Sequence, residues 1–138
     1  MAAPEHTVRF RVRYSEVDRM GAVYNSRVLE WFEAGRVELL RAAGVSYDWM
    51  EQQGAHLPVV EAHLEYLSRA GFDDELELRA RASMPGRASV RFDIVVVHVG
   101  DGREVVRGCT LHAVTDKGGK VIRTPKWLSD ALGGGATA

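Results

Sequence analysis

The sequence predicts an α+β fold in which one long helix is wrapped by an antiparallel sheet of five to six strands. Three features lead there. Residues 7–14 alternate apolar and charged side chains with the period of a strand. Residues 25–43 repeat apolar side chains with the period of a helix. From Leu57 onward, runs rich in β-branched residues follow one another across short turns, which requires antiparallel neighbours.

Taken in order, residues 1–6 read as a frayed tail, and the first strand runs over TVRFRVRY. Val8, Phe10, Val12 and Tyr14 share its apolar face, and Arg9, Arg11 and Arg13 share the other, which is expected to be a solvated polar face. SEVDRMG breaks the alternation, with Gly21 supplying the freedom a turn needs. Asn25 is the expected N-cap of the long helix, with Tyr24 and Leu29 as its hydrophobic staple. Val28, Trp31, Phe32, Gly35, Leu39, Ala42 and Ala43 form the stripe, widened by Leu29, Val37 and Leu40, so cover on more than one side is expected. Gly44 ends the helix. A second short helix spans residues 45–53 with Ser46 as cap and Tyr47, Trp49 and Met50 turned inward. The strands that follow are LPVVEAHLEYLSRA, LELRARA, SVRFDIVVVHV and EVVRGCTLHAVT. They are punctuated by Met84-Pro85-Gly86-Arg87 and Gly100-Asp101-Gly102. Thr124-Pro125 opens a terminal helix, KWLSDAL, and residues 133–138 read as a disordered tail.

At 138 residues, 46% hydrophobic and 27% charged, the chain has the size of a single domain, residues 1–138, with one core. A net charge of −1 gives no general drive toward nucleic acid or an anionic membrane. No apolar run approaches the roughly 20 residues that span a bilayer, and the start lacks a signal-peptide core, so a cytoplasmic location without membrane insertion is expected. One cysteine, Cys109, excludes an internal disulfide framework and reads as a small buried apolar residue. His56, His63, His98 and His112 lack metal-ligand spacing, so no metal is expected.

The stretch where the first strand meets the long helix carries the chemistry. Asp18 stands just before a helix N-terminus, which joins a carboxylate able to act as nucleophile or base to backbone N–H groups that lack partners. Met20, Val28, Val59 and Val60 add apolar surface for an aliphatic or aromatic group.

This stretch resembles the hotdog-fold thioesterases, specifically the 4-hydroxybenzoyl-CoA thioesterase/YbgC-like acyl-CoA thioesterase family. Asp18, Gly21, Val23, Tyr24, Leu29, Phe32, Glu33 and Arg36 fall on that family's positions without a gap. The likeness continues through Asp74-Glu75-Leu76, Gly108, Pro125 and Trp127-Leu128. The chain departs from the usual pattern at Met20, Asn25, Arg27 and Val28, which border the acyl pocket or shape the helix start. The resemblance implies a hotdog fold and hydrolysis of an acyl-CoA thioester to a carboxylic acid and free CoA. Asp18 would be nucleophile or general base, and backbone N–H groups of Asn25 and Tyr24 would be oxyanion donors. Glu33 is a secondary candidate, because a related hotdog subfamily uses a helix carboxylate. The substrate would lie against Met20, Gly21, Val59 and Val60, with Arg87, and secondarily Arg91, near the CoA phosphates. No cofactor beyond the substrate's own CoA is implied. The expected assembly is a homodimer, pairing sheet edges and sharing the site, and then a homotetramer. Hydrolysis of acyl carrier protein thioesters and non-hydrolytic acyl-CoA binding are the alternatives.

Overall fold

The computed structural model describes residues 4–133. β1 (Glu5–Arg11) is followed by a 3-10 turn at Tyr14–Glu16, and then by α1 (Asn25–Ala42) and α2 (Tyr47–Gln52). β2 (Val59–Tyr66), β3 (Glu75–Ser83), β4 (Ser89–His98), β5 (Glu104–Ala113) and α3 (Lys126–Ala131) complete the order. The five strands form one sheet in the order β1-β3-β4-β5-β2, and every neighbouring pair is antiparallel. Among the described residues the sheet has five strands, the lower end of the expected range.

Strict alternation makes β3 and β4 two-faced. Leu76, Leu78, Ala80 and Ala82 join Val90, Phe92, Ile94 and Val96 on one buried face, each at most 3% exposed. α1 lies on that face over β1, β3 and β4, burying Val28, Trp31, Phe32, Leu39 and Leu40. Complete burial of side chains such as Phe32 and Phe92 stabilises the fold by about 1.5–3 kcal/mol each. Gly35 sets how close α1 comes to the sheet, because a methyl group there would lie 2.4 Å from Leu78 Cδ2. The helix is covered on one face only. Leu29 is 45% exposed, and Glu33, Ala34 and Ala42 are also exposed, so the expected second cover is not supplied within the chain.

Several boundaries differ from expectation. Glu5 and His6 already pair with Arg81 and Ala80, so the strand begins inside the expected tail. The remaining tail residues 1–3, and 134–138 at the other end, lie outside the described residues. Tyr14 does not extend the inward series: it sits in the 3-10 turn at 77% exposure, edge-to-face with Phe72. The N-cap of α1 is Tyr24, not Asn25, so Asn25 is the first helical residue and makes no side-chain cap. The staple positions shift with it, from the exposed Tyr24 and Leu29 to Val28, in the core cluster, and Val23, half-buried against it. Ser46 caps α2 as expected, accepting from Trp49 N–H at 3.3 Å. Trp49 is 37% exposed rather than inward, and packs edge-to-face on Trp127.

The arginine row of β1 lies on the sheet face away from α1. Arg9 pairs with Glu77 at 3.1 Å, and Arg11 donates to the Asp73 carbonyl at 2.9 Å. Cys109 stands on that same outer face, opposite Asp93 and His63, whereas His112 is fully buried on the helix side. No helix among the described residues is long and apolar enough to cross a membrane.

Candidate active site

Between β1 and α1 the backbone folds into a closed neck carrying a small loop. Val12 keeps pairing past the end of β1, donating its N–H to the Asp74 carbonyl and accepting from Asp73 N–H, both at 3.0 Å. Val17 then bridges Val23, and Tyr24 N–H donates to the Glu16 carbonyl at 2.9 Å. The loop 18–22 is held within this neck. Asp18 N–H donates to the Ala22 carbonyl at 2.9 Å, and Gly21 N–H to the Asp18 carbonyl at 3.0 Å. Gly21 has φ +78°, the left-handed region where a side chain is strained, so the turn requires glycine.

The Asp18 carboxylate is oriented by this loop. Its Oδ1 accepts from Met20 N–H at 2.8 Å and Ala22 N–H at 3.1 Å, while Oδ2 has no hydrogen-bond partner among the described residues. One oxygen is therefore fixed by the loop, and the other makes no hydrogen bond among the described residues. Immediately beyond the loop, α1 begins. Arg27 N–H donates to the Tyr24 carbonyl, whereas Asn25 and Ser26 N–H groups have no partner among the described residues. Such groups sit at the positive end of an 18-residue helix and favour developing negative charge. Tyr24 drops out of the expected donor pair, because its N–H is already spent on Glu16.

A cleft of about 280 Å³ opens beside the helix start, between Ala22, Asn25 and Trp31 on one wall and Tyr66, Leu67 and Arg69 on the other. Tyr66 Oη donates to the Asn25 carbonyl at 3.1 Å, and the Arg69 guanidinium donates to the Met20 carbonyl at 2.8 Å. The end of β2 and the segment after it thus brace both sides of the Asp18 loop. The lining reaches Ala22 and Asn25 but not Asp18.

Sequence reasoning missed Glu16. It is 1% exposed, and its carboxylate accepts from Arg13 N–H at 2.7 Å, Trp31 Nε1–H at 2.8 Å and the Arg13 guanidinium at 3.3 Å. Burial alone would push this carboxyl up, but the Arg13 N–H, the Trp31 indole and the Arg13 guanidinium together hold it below the ordinary glutamate range. No local pattern marks it, because the 3-10 turn at Tyr14–Glu16 ends the strand alternation and its indole partner lies fifteen residues on.

The other expected residues divide into two groups. Met20, 78% exposed, and Gly21 belong to the Asp18 loop. Val59, Val60 and Arg87 do not come near it within one chain. Val59 begins β2 and Tyr66 ends it, and seven residues of strand span about 23 Å. Arg87 lies in the β3–β4 turn, at the same far end of the sheet as Val59, as the register of β4 and β2 on β5 requires. Arg91 is on the outer face, paired with Asp93 at 3.0 Å. A larger concavity of about 530 Å³ also lies on that outer face, but its arginines are paired with acids and α1 contributes nothing to it.

The profile of the thioesterase-like superfamily matches residues 12–132, from the neck of this loop to the terminal helix. The chain belongs to the thioesterase-like superfamily. Its fold is the hotdog fold and its class is thioester hydrolase. The chain is similar to the acyl-CoA thioesterase YbgC of Haemophilus influenzae, 31% identical over 84 residues, 60% of this chain and 62% of that one. Among solved structures it is similar to the hypothetical protein TT1821 of Thermus thermophilus, 32% identical, covering 92% of this chain and 96% of that one, TM-score 0.85. The 1,4-dihydroxy-2-naphthoyl-CoA thioesterase Slr0204 of Synechocystis shares the fold at 18% identity, with 93% and 95% coverage and TM-score 0.85.

Proposed function

We propose that this member of the superfamily hydrolyses acyl-CoA thioesters to a carboxylic acid and free CoA at the junction of the Asp18 loop with α1. The observation that carries the reading is the asymmetry of the Asp18 carboxylate. Oδ1 is held by two backbone N–H groups, Oδ2 has no partner among the described residues, and the helix that begins just after this loop opens with two N–H groups that likewise have none among them. A thioester carbonyl between them would meet the carboxylate and the donors together. In one route Oδ2 attacks the carbonyl carbon, the C–S bond breaks to release the thiolate, and water hydrolyses the resulting mixed anhydride. In the other, the carboxylate takes a proton from water as that water attacks. In both, negative charge gathers on the carbonyl oxygen, where Asn25 and Ser26 N–H groups stabilise it; one well-placed donor is typically worth about 3 kcal/mol. Water is the only co-reactant either route needs.

The substrate-contacting residues require a second copy of the chain. β2 is an edge strand whose residues are exposed on both faces apart from the half-buried Leu64, and Val59, Val60, Tyr66 and Leu67 are each 47–56% exposed. A long apolar edge of this kind is an association surface. Antiparallel pairing of two β2 strands about their centres sets the Val59 end of one against the Tyr66 end of the other. Val59, Val60 and Arg87 of the partner subunit then approach the Asp18 loop, with Met20 and Gly21 beside them. The functional unit in this reading is a homodimer, which further assembles to a homotetramer.

The test is thiol release from a panel of short, long and aromatic acyl-CoAs and an acyl carrier protein thioester, with light scattering on the same sample. Turnover of one or more acyl-CoAs by a dimer or tetramer is expected. Tight acyl-CoA binding without thiol release contradicts catalysis and favours a binding module. Turnover confined to the carrier-protein thioester contradicts the CoA assignment.

A further inference from the structure

We propose that Glu16 is a positioning residue, whose carboxylate fixes the Asp18 loop against α1 through its hydrogen bond to Trp31. The proposal rests on the reading of Asp18 given above. Glu16 stands at the neck from which the Asp18 loop springs, and it grips α1 at two separated points. Its carbonyl takes the N–H of Tyr24, just before the first turn, at 2.9 Å. Its Oε2 takes the indole N–H of Trp31 at 2.8 Å. Trp31 is six residues beyond Asn25, about 9 Å along the helix axis. One contact would fix a distance, whereas one contact to the helix cap and a second to a side chain from a later turn also fix the angle between loop and helix. That angle decides whether Asp18 Oδ2 and the Asn25 and Ser26 N–H groups converge on one carbonyl.

The side chain is not itself placed to react. It is 1% exposed, and both oxygens are occupied by donors. Its principal cation, Arg13, has a side chain that is 69% exposed and so offers little compensation for burying a carboxylate. An apolar side chain would fill the same space without that cost, but it would not hold an indole N–H in a set direction. Trp31 also lines the cleft beside Asn25, so the bond ties the neck of the loop directly to the wall of the proposed site.

The experiment is a kinetic double-mutant cycle. Glu16→Gln and Trp31→Phe are each made alone and combined with Asp18→Asn, and kcat and KM are measured with hexanoyl-CoA and benzoyl-CoA, using single-turnover conditions for slow variants. Glutamine would turn an amide N–H toward a donor, and phenylalanine removes the indole N–H. Melting temperature is followed throughout, and Trp31→Phe serves if Glu16→Gln fails to fold. The expected result is a fall in kcat of about ten- to hundredfold, the scale of an ångström-sized misplacement. KM should stay within about threefold, and no further loss should appear once Asp18 is replaced. Unchanged kcat in both folded single variants overturns the proposal, as do equal proportional losses in both backgrounds, which mark a merely structural role. Failure of the Asp18 reading shows separately, as wild-type turnover in Asp18→Asn alone.

Discussion

Gly35→Ala tests how closely α1 is seated on the sheet and what that seating does for the site. A methyl group at this position would lie 2.4 Å from Leu78 Cδ2 and 3.3 Å from Cδ1. A relaxed carbon–carbon contact is about 3.5–4.0 Å, so roughly 1 Å must be found by moving Leu78 or the helix. Leu78 is 2% exposed, but with Gly35 it borders a cleft of about 310 Å³ beside α1, so its side chain can take up part of that shift. Overpacking of this kind costs about 1–3 kcal/mol, and replacing a helical glycine by alanine returns about 1 kcal/mol. The balance is a loss of up to about 2 kcal/mol, which lowers the melting temperature of a chain this size by up to roughly 8 °C. A helix tilted outward also carries Asn25 and Ser26 away from Asp18, and a displacement near 1 Å is enough to lower kcat by up to about a hundredfold. Calorimetry and thiol release on the same preparation read both effects, and Leu78→Val in the same chain should restore part of each. A rise in melting temperature, the response of helix propensity acting alone, would refute the close seating.

Two further outcomes follow from burial and from the sheet edge. Burial pushes the His112 imidazole below its ordinary value of 6.5, and Arg36 nearby pushes the same way against the favourable bond to the Leu57 carbonyl. The unfolded chain therefore binds a proton near pH 6.5 that the folded chain resists. Stability is full above the unfolded value and falls as pH drops below it. Urea midpoints should decrease between about pH 7.5 and about pH 5.5 and do so less steeply in His112→Gln; equal slopes in the two proteins would contradict this. Ala62→Lys places a new cation in the exposed middle of β2, where two antiparallel copies would bring two such groups together. Light scattering should show a shift toward monomer with loss of turnover, and a fully active monomer would contradict the shared site.

The fold was legible because its patterns are local. The alternation of Leu76, Leu78, Ala80 and Ala82 and the helical repeat of Val28, Trp31, Phe32 and Leu39 each encode which face is buried. The Ser46 cap is likewise a short-range signal, read within three residues. What failed depended on contacts between distant parts of the chain. The helix starts with Tyr24 as cap because the Glu16 carbonyl, eight residues earlier, takes its N–H. Tyr14 leaves the inward face because a 3-10 turn interrupts strand parity there. Within one chain Val59, Val60 and Arg87 stand at the far end of the sheet from Asp18, a separation that comes from strand order and register and that no local pattern carries. Glu16 looked like one more loop carboxylate because its partner, Trp31, is fifteen residues away on the facing helix.

Asp18→Asn tests the central claim most directly, because the structure separates the residue's two roles. The asparagine Oδ1 can keep both loop bonds, from Met20 and Ala22 N–H, and its Nδ2 replaces the oxygen that has no partner among the described residues. The unfolding free energy should therefore stay within about 1 kcal/mol of wild type, whereas Asp18→Ala gives up both bonds and loses about 1–3 kcal/mol. Turnover of acyl-CoA by the folded Asp18→Asn protein should fall by about a thousandfold or more, equivalent to about 4 kcal/mol of transition-state stabilisation. Near-wild-type turnover in that protein would contradict the account and leave Asp18 as a loop-forming residue only.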